Sequence, residues 1–211
     1  AAFCAPANVL TWHNDSARSG VNPNETVLAP TNVNQTDFGK LFEIPVDGQV
    51  FAQPLYVSGV AIPDNGTHNV VYIATEHDSV YACDADDGSV LWHVMLLKLG
   101  ETSSDNMNCD IMREVGITAT PVITGGVIYV QAMSKDGNNN YFQRLHGLDT
   151  CTGEELFGGP VDIAATYSGF GSETVFDPKP QFDRAGLVLQ DGVIYTCWSS
   201  FCDHNTYHGW V

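Results

Sequence analysis

Glu76-His77-Asp78 sets an imidazole between two carboxylates, residue types that serve acid–base and metal chemistry. The triplet falls between two apolar runs, so it reads as a turn whose polar groups satisfy one another. Asp84, Asp86 and Asp87 followed by Gly88 begin like a calcium loop. The glutamate that such a loop needs further on is missing, and Leu91-Trp92 stand there instead. A hairpin turn is the expectation. Trp12-His-Asn-Asp-Ser-Ala-Arg18 is dense in functional groups, and its mixed polarity suits anchoring by side-chain bonds. Serine, histidine and aspartate all occur, but no Gly-x-Ser-x-Gly elbow frames a nucleophile and no glycine-rich loop frames a phosphate. No residue is assigned a catalytic, cofactor-binding or metal-binding role.

Six cysteines are an even number, compatible with disulfides in an oxidising compartment, and none forms Cys-x-x-Cys. Asn-x-Ser/Thr sequons stand at Asn14, Asn24, Asn34 and Asn65, all in the turn-rich first third. Ala1-Ala-Phe-Cys-Ala-Pro has neither a charged nor an apolar leader pattern and reads as a mature end left after processing. These features point to a secreted, extracellular glycoprotein. No apolar run approaches the roughly 18 residues of a membrane span. A net charge of −17 with eight Lys plus Arg excludes phosphate-rich partners such as nucleic acid. It leaves a bound cation, a neutral sugar or a basic partner open.

The elements follow from alternation and turn signals. Residues 1–38 form an extended lead-in rich in Asn, Pro and Thr, and 39–50 hold a strand, Gly39–Val46. From Val70 to Trp92 the chain reads as three short strands joined by tight turns. The pattern recurs, diverged, at Val127–Phe157 and begins again at Val193. Strands are expected at Phe51–Val57, Asn69–Glu76, Ser79–Ala85 and Ser89–Met95. The next set is Ile117–Ile123, Val127–Ser134, Phe142–Thr150 and Glu155–Val161. The units are 51–96, 97–163 and 164–211, the last incomplete. Four-stranded antiparallel units of this size suit the blades of a β-propeller.

The residues Ala82-x-Asp84-x-x-Asp87-Gly88-Ser89-x-x-Trp92 resemble the repeat of propellers of the pyrroloquinoline-quinone (quinoprotein-like) type, which runs Ala-x-Asp-x-x-Thr-Gly-Lys-x-x-Trp. Gly147-x-Asp149-x-x-Thr152-Gly153-Glu154-x-x-Phe157 is a second match, with Phe in the Trp position. Gly39-Lys-Leu-Phe42 resembles the end of a further copy, its spacing short by one. The resemblance covers most of the chain after Gly39. It implies an all-β, partial β-propeller in which Asp84, Gly88, Asp149 and Gly153 shape hairpins while Trp92 and Phe157 wedge against neighbouring blades. It also implies that Gly39–Val46 closes the last blade. Dehydrogenases of this type carry adjacent cysteines near the quinone and a calcium ion held by Glu, Asn and Asp. This chain has no adjacent cysteine pair and no segment matching those ligands. Neither PQQ nor calcium is therefore expected.

Antiparallel order places the loop that leads into a blade on the same face as the loop between its second and third strands. The long segments Leu97–Gly116, Asp136–Asn140, Ala164–Asp183 and Ser200–Tyr207 thus share one face, the expected binding face. Cys109 and Cys202 lie in those loops and are candidate disulfide partners, whereas Cys151 sits in a turn on the other face. The 211 residues hold too few blades to close a ring, so the remaining blades are expected from further chain or another subunit. The leading functional reading is a non-enzymatic extracellular scaffold or binding module that meets a protein or a carbohydrate. The alternatives are a PQQ- and calcium-dependent oxidoreductase and a structural subunit of a self-assembling fibre or ring, a homo-oligomer.

Overall fold

The structure, a computed structural model, describes residues 8–105, 113–169, 171–201 and 208–211. Strands β1 (Leu55–Ile62), β2 (Gly66–Ala74), β3 (Ser79–Asp84) and β4 (Val90–Met95) form one antiparallel sheet in chain order. Alternation decides what each face meets. Val70, Tyr72, Ala74, Val80 and Ala82 point to one side and join a core with Ile117, Ile128, Val130 and Leu148 of the next unit. Ile73, Tyr81 and Cys83 point to the other side and meet Ile44 and Val46. With both faces covered, the run Val70-Val-Tyr-Ile-Ala74 can be apolar throughout. β1 starts and ends later than alternation indicates. The register shifts between Val57 and Val60 around Gly59 (φ 67°), a bulge that lets the strand continue to Ile62.

The second unit contains β5 (Glu101–Asp105), β6 (Glu114–Val115), β7 (Val122–Thr124), β8 (Val127–Asp136), β9 (Tyr141–Asp149) and β10 (Val161–Asp162). Its inner position is one strand in two pieces. β5 pairs the far end of β8 (Ser103 opposite Ser134) and β7 pairs its start (Val122 opposite Tyr129). Between them the chain makes an excursion through the β5–β6 pair and returns where the Met133 amide donates to the Gly116 carbonyl at 3.0 Å. The incoming segment 97–116 is thus part strand rather than loop. The expected outer strand 155–161 is broken. Glu155 bridges Leu148, Phe157 (φ 58°) and Gly158 (φ 71°) turn the chain away, and β10 resumes opposite Leu145 and Arg144.

The third unit repeats this plan. The hairpin of β11 (Thr166–Gly169) and β12 (Ser172–Val175) occupies what the sequence pattern leaves as loop. β13 (Gln181–Asp183) and β14 (Val188–Gln190) then share the inner position, paired respectively with β16 (Trp198–Ser200) and β15 (Val193–Tyr195). Leu187, Leu189 and Ile194 cover Tyr129 and Leu145 on the far face of the second unit. A polar stitch lies beside this contact: Trp198 Nε1 donates to Gln143 Oε1 at 2.5 Å, and Gln143 Nε2 donates to the Gln181 carbonyl at 2.6 Å.

The chain is therefore all-β among the described residues, a partial β-propeller of stacked antiparallel sheets, with no helix long and apolar enough to cross a membrane. Its lead-in links the units. Val9 and Tyr56 exchange backbone bonds of 2.8 and 3.0 Å, and the Ile123 amide donates to the Leu10 carbonyl at 2.8 Å. Arg18 Nη2 reaches the carbonyls of Gly186 and Leu187 at 3.1 and 3.0 Å. Residues 39–46 run extended but form no strand ladder.

Candidate functional site

Glu76 and Asp78 close the β2–β3 turn and are fully buried. Glu76 Oε2 accepts from the Gly116 amide (2.8 Å) and Thr118 Oγ1 (3.0 Å), which fastens the turn to the strand leaving the excursion. Gly116 is required there, since a Cβ at 116 would lie 2.4 Å from the Glu76 carbonyl oxygen. Glu76 Oε1, both Asp78 oxygens and Ser103 Oγ find no hydrogen-bond partner. Burial pushes the Glu76 carboxyl up to about 7, against the pull of its two donors and with help from nearby Glu114. Burial lifts Asp78 well above the carboxylate range, with Ser103 close by but out of bonding geometry. Protonation is the least costly way to hold such groups away from water. His77 turns outward, 3.0 Å from Glu114 Oε2. The triplet thus divides into two buried acids and one surface pair, not a concerted acid–base site.

Ser79, His93 and Asp47 meet without any sequence signal, but in the wrong order for nucleophilic catalysis. Ser79 Oγ donates to Asp47 Oδ2 at 2.5 Å, and His93 Nε2 lies 3.0 Å from the same hydroxyl. His93 and Asp47 are 3.9 Å apart, so the imidazole does not bridge serine and carboxylate. Ser79 is buried, and Thr75 Oγ1 completes the cradle by donating to Asp47 Oδ1 at 2.9 Å. Arg144, equally silent in the sequence, holds Glu101 with bonds of 2.7 and 2.8 Å and Asp162 with a bond of 2.7 Å, tying β5, β9 and β10 together. The Glu101 side chain feels burial, but Arg144 and Ser134 outweigh it and hold its pKa low.

The repeat residues form two equivalent turns. Asp84 Oδ1 accepts from the Asp86 amide at 2.7 Å, and Asp149 Oδ1 accepts from the Cys151 amide at 2.7 Å. Gly88 (φ 79°) and Gly153 (φ 74°) complete the turns with the left-handed backbone that favours glycine. A Cβ at 153 would lie 2.7 Å from the Trp92 ring and 3.0 Å from Val94. A Cβ at 88 would lie 2.8 Å from the Phe42 ring and 3.2 Å from Ile44. Phe42 and Ile44 thus stand to Gly88 as Trp92 and Val94 stand to Gly153. Trp92 Nε1 and Tyr72 Oη both donate to the Thr150 carbonyl, at 3.0 and 2.9 Å. Phe157 is 77% exposed and stacks only on Tyr129.

Asn65 is exposed at the tip of the β1–β2 turn, and Asn24 is exposed in the lead-in. Asn14 Nδ2 donates to the Val21 carbonyl at 2.7 Å, and Asn34 Nδ2 donates to the Thr31 carbonyl at 3.1 Å and to Asp37 Oδ2 at 2.8 Å. Cys109 and Cys202 lie outside the described residues. Cys83, Cys151 and Cys197 are free thiols.

The open cleft lies at the segment that leads into the third unit, on the face expected to bind. The β11–β12 hairpin rises from it beside residues 208–211, and a cavity of about 610 Å³ lies between them. Register sets which side chains turn inward. Tyr167 pairs Thr174 and Gly169 pairs Ser172, and these four share the face that lines the cleft, while Ser168 and Glu173 point away. Trp210 forms the opposite wall, held edge-on by Phe176 at 5.6 Å and paired to Trp198 by two backbone bonds. Ala164–Asp183 reads as a loop in the sequence, whereas Thr166–Gly169 and Ser172–Val175 pair as a hairpin. The alternation of Tyr167, Gly169, Ser172 and Thr174 about Gly171 was the available signal. A second cavity, about 530 Å³, lies beside Trp12, Arg18 and Arg184 at the inner strands. Arg18 there is committed to four oxygens, those of Thr11, Trp12, Gly186 and Leu187.

Among the described residues no three His, Cys, Asp or Glu side chains gather as metal ligands. No protein-family model matches the chain, and no curated protein matches it. Among solved structures, the chain is similar to BamB from Moraxella catarrhalis at 14% identity, over 66% of this chain and 69% of that one, with a TM-score of 0.15. A likeness so weak carries no argument, and the fold stands on the ladders and stacked faces described above.

Proposed function

We propose that this protein is a secreted, non-enzymatic scaffold or binding module that meets its ligand, a protein or a carbohydrate, through the long-loop face. The observation that supports this most is the contrast between its polar clusters and its cleft. Glu76, Asp78, Ser79 and Arg144 are buried, and the bonds of Glu76, Ser79 and Arg144 to Gly116, Thr118, Asp47, Glu101 and Asp162 are spent on joining strands. The open cleft holds aromatic and hydroxyl groups, and among the described residues no Asp, Glu, Lys or Arg side chain lines it. A glycan on Asn65 fits the same reading, because Asn65 lies in the β1–β2 turn, at the other end of the strands from the β2–β3 turn. The extended run 39–46 is proposed as the outer strand of a further blade, because Phe42 sits over Gly88 as Trp92 sits over Gly153. That blade would come from further chain or another subunit.

The test is dye reduction by the purified protein with sugars or alcohols, with and without added pyrroloquinoline quinone and calcium. No turnover above background is expected in any combination. Turnover that requires both additions would overturn the reading.

A further inference from the structure

We infer that the cleft between the β11–β12 hairpin and Trp210 is a binding site for a neutral saccharide. This rests on the binding-module reading and assigns its ligand class.

The first support is shape. A cavity of about 610 Å³ falls in the range of roughly 300–1,000 Å³ typical of small-molecule sites. It is bounded by two walls that backbone bonds and ring contacts hold. On one side a ladder from Thr166↔Val175 to Gly169↔Ser172 holds the hairpin. On the other, Trp210 is fixed by the Trp198 backbone pair and by Phe176.

The second is the platform. A Cβ at position 169 would lie 2.3 Å from Cε1, Cζ and Oη of Tyr167, so the hydroxyl end of the ring packs against Gly169 in the space that a side chain would fill. Tyr167 is 53% exposed and lines the cleft, so ring surface is open to a ligand there. A pyranose has a face of C–H groups and a rim of hydroxyls. The electron-rich face of an aromatic ring attracts the C–H groups, and the area covered adds to the gain.

The third is the chemistry of the rim. Ser172 and Thr174 beside the platform, with Thr166 and His208 nearby, offer donors and acceptors that suit sugar hydroxyls. Among the described residues no Asp, Glu, Lys or Arg side chain lines the cleft, so those residues offer no counter-charge for an anion or a cation. A net charge of −17 further disfavours uronic or sulfated sugars.

The test is a titration of the protein with short gluco-, xylo-, manno- and chito-oligosaccharides, read by intrinsic fluorescence and by calorimetry. An oligogalacturonate serves as the charged control. At least one neutral series is expected to bind. Tyr167→Ala is expected to weaken that binding by about tenfold, while Tyr167→Phe, which keeps the ring, stays close to the parent. Circular dichroism and melting temperature confirm that both variants fold. Absence of binding by every neutral series, binding untouched by Tyr167→Ala, or preference for the charged control would each overturn the saccharide assignment. Those results leave the binding-module reading to the dye-reduction assay. A sugar that binds through Tyr167 and is also oxidised would do the reverse, keeping the site and removing the non-enzymatic reading.

Discussion

The carboxyl of Glu76 has two donors on one oxygen and none on the other, and burial lifts its pKa to about 7. Its folded pKa lies above the ordinary 4.5, so the folded state holds the proton more tightly than the unfolded chain. The stability this contributes is complete below about pH 4.5 and is lost as pH rises towards 7, a difference on the order of 3 kcal/mol. Glu76→Gln supplies a neutral amide where the protonated acid sits. Thermal unfolding should show Glu76→Gln melting higher than the parent at pH 8, by about 2–4 °C per kcal/mol recovered, with little change at pH 5. A fall at both pH values would show that the site needs a carboxylate. None of this was legible in the triplet Glu76-His77-Asp78, because residue type says nothing of burial. What sequence could offer was that a polar group between two apolar strands sits in a turn, and it does.

At the scale of elements, one contact recurs: an aromatic side chain over the turn glycine of the next sheet. Trp92 makes it with Gly153 and adds a bond to the Thr150 carbonyl. Trp92→Ala should cost about 3 kcal/mol, and Trp92→Phe about 1 kcal/mol for the lost bond, both measured by denaturant unfolding. Phe157→Ala should cost under about 1 kcal/mol, because Phe157 is 77% exposed. Equal costs for the two alanine variants would refute this ranking. Gly116→Ala should be among the most damaging small changes, about 2 kcal/mol or more, because its Cβ would press on the Glu76 carbonyl. Gly39→Ala, with open space around it, should be neutral. The Asp-x-x-x-Gly turns were readable because their bonds are local, Asp side chain to nearby amide. The β11–β12 hairpin and the β5–β6 excursion were not, because strands of two to five residues carry little alternation. The break in 155–161 escaped for another reason: Phe157 takes a positive φ that its residue type does not announce.

For the whole molecule, the titrating groups act in one direction. Burial raises Asp183 to about 7 as it does Glu76. His68 is raised by its bonds to the Asn65 carbonyl and Asp84, and His77 by its bond to Glu114. Each raised group stabilises the fold below its unfolded pKa and loses that contribution as pH climbs through the folded one. The lowered carboxylates, Asp47, Asp84 and Glu101, lose theirs only as pH falls below their ordinary range. The melting temperature should therefore be higher at pH 5 than at pH 8, and the reverse order would contradict this balance. Repeat spacing made the stacked antiparallel architecture legible. The cleft depended on Tyr167 and Trp210 meeting across some forty residues of chain, which no local pattern shows. Hydrogen-exchange mapping with and without a saturating oligosaccharide tests the central claim, that the long-loop face does the binding. The account predicts slowed exchange within 165–175 and 208–211 and none at the opposite turns, 63–65, 84–88 and 149–153. Protection at those opposite turns, with the long-loop face unchanged, would contradict it.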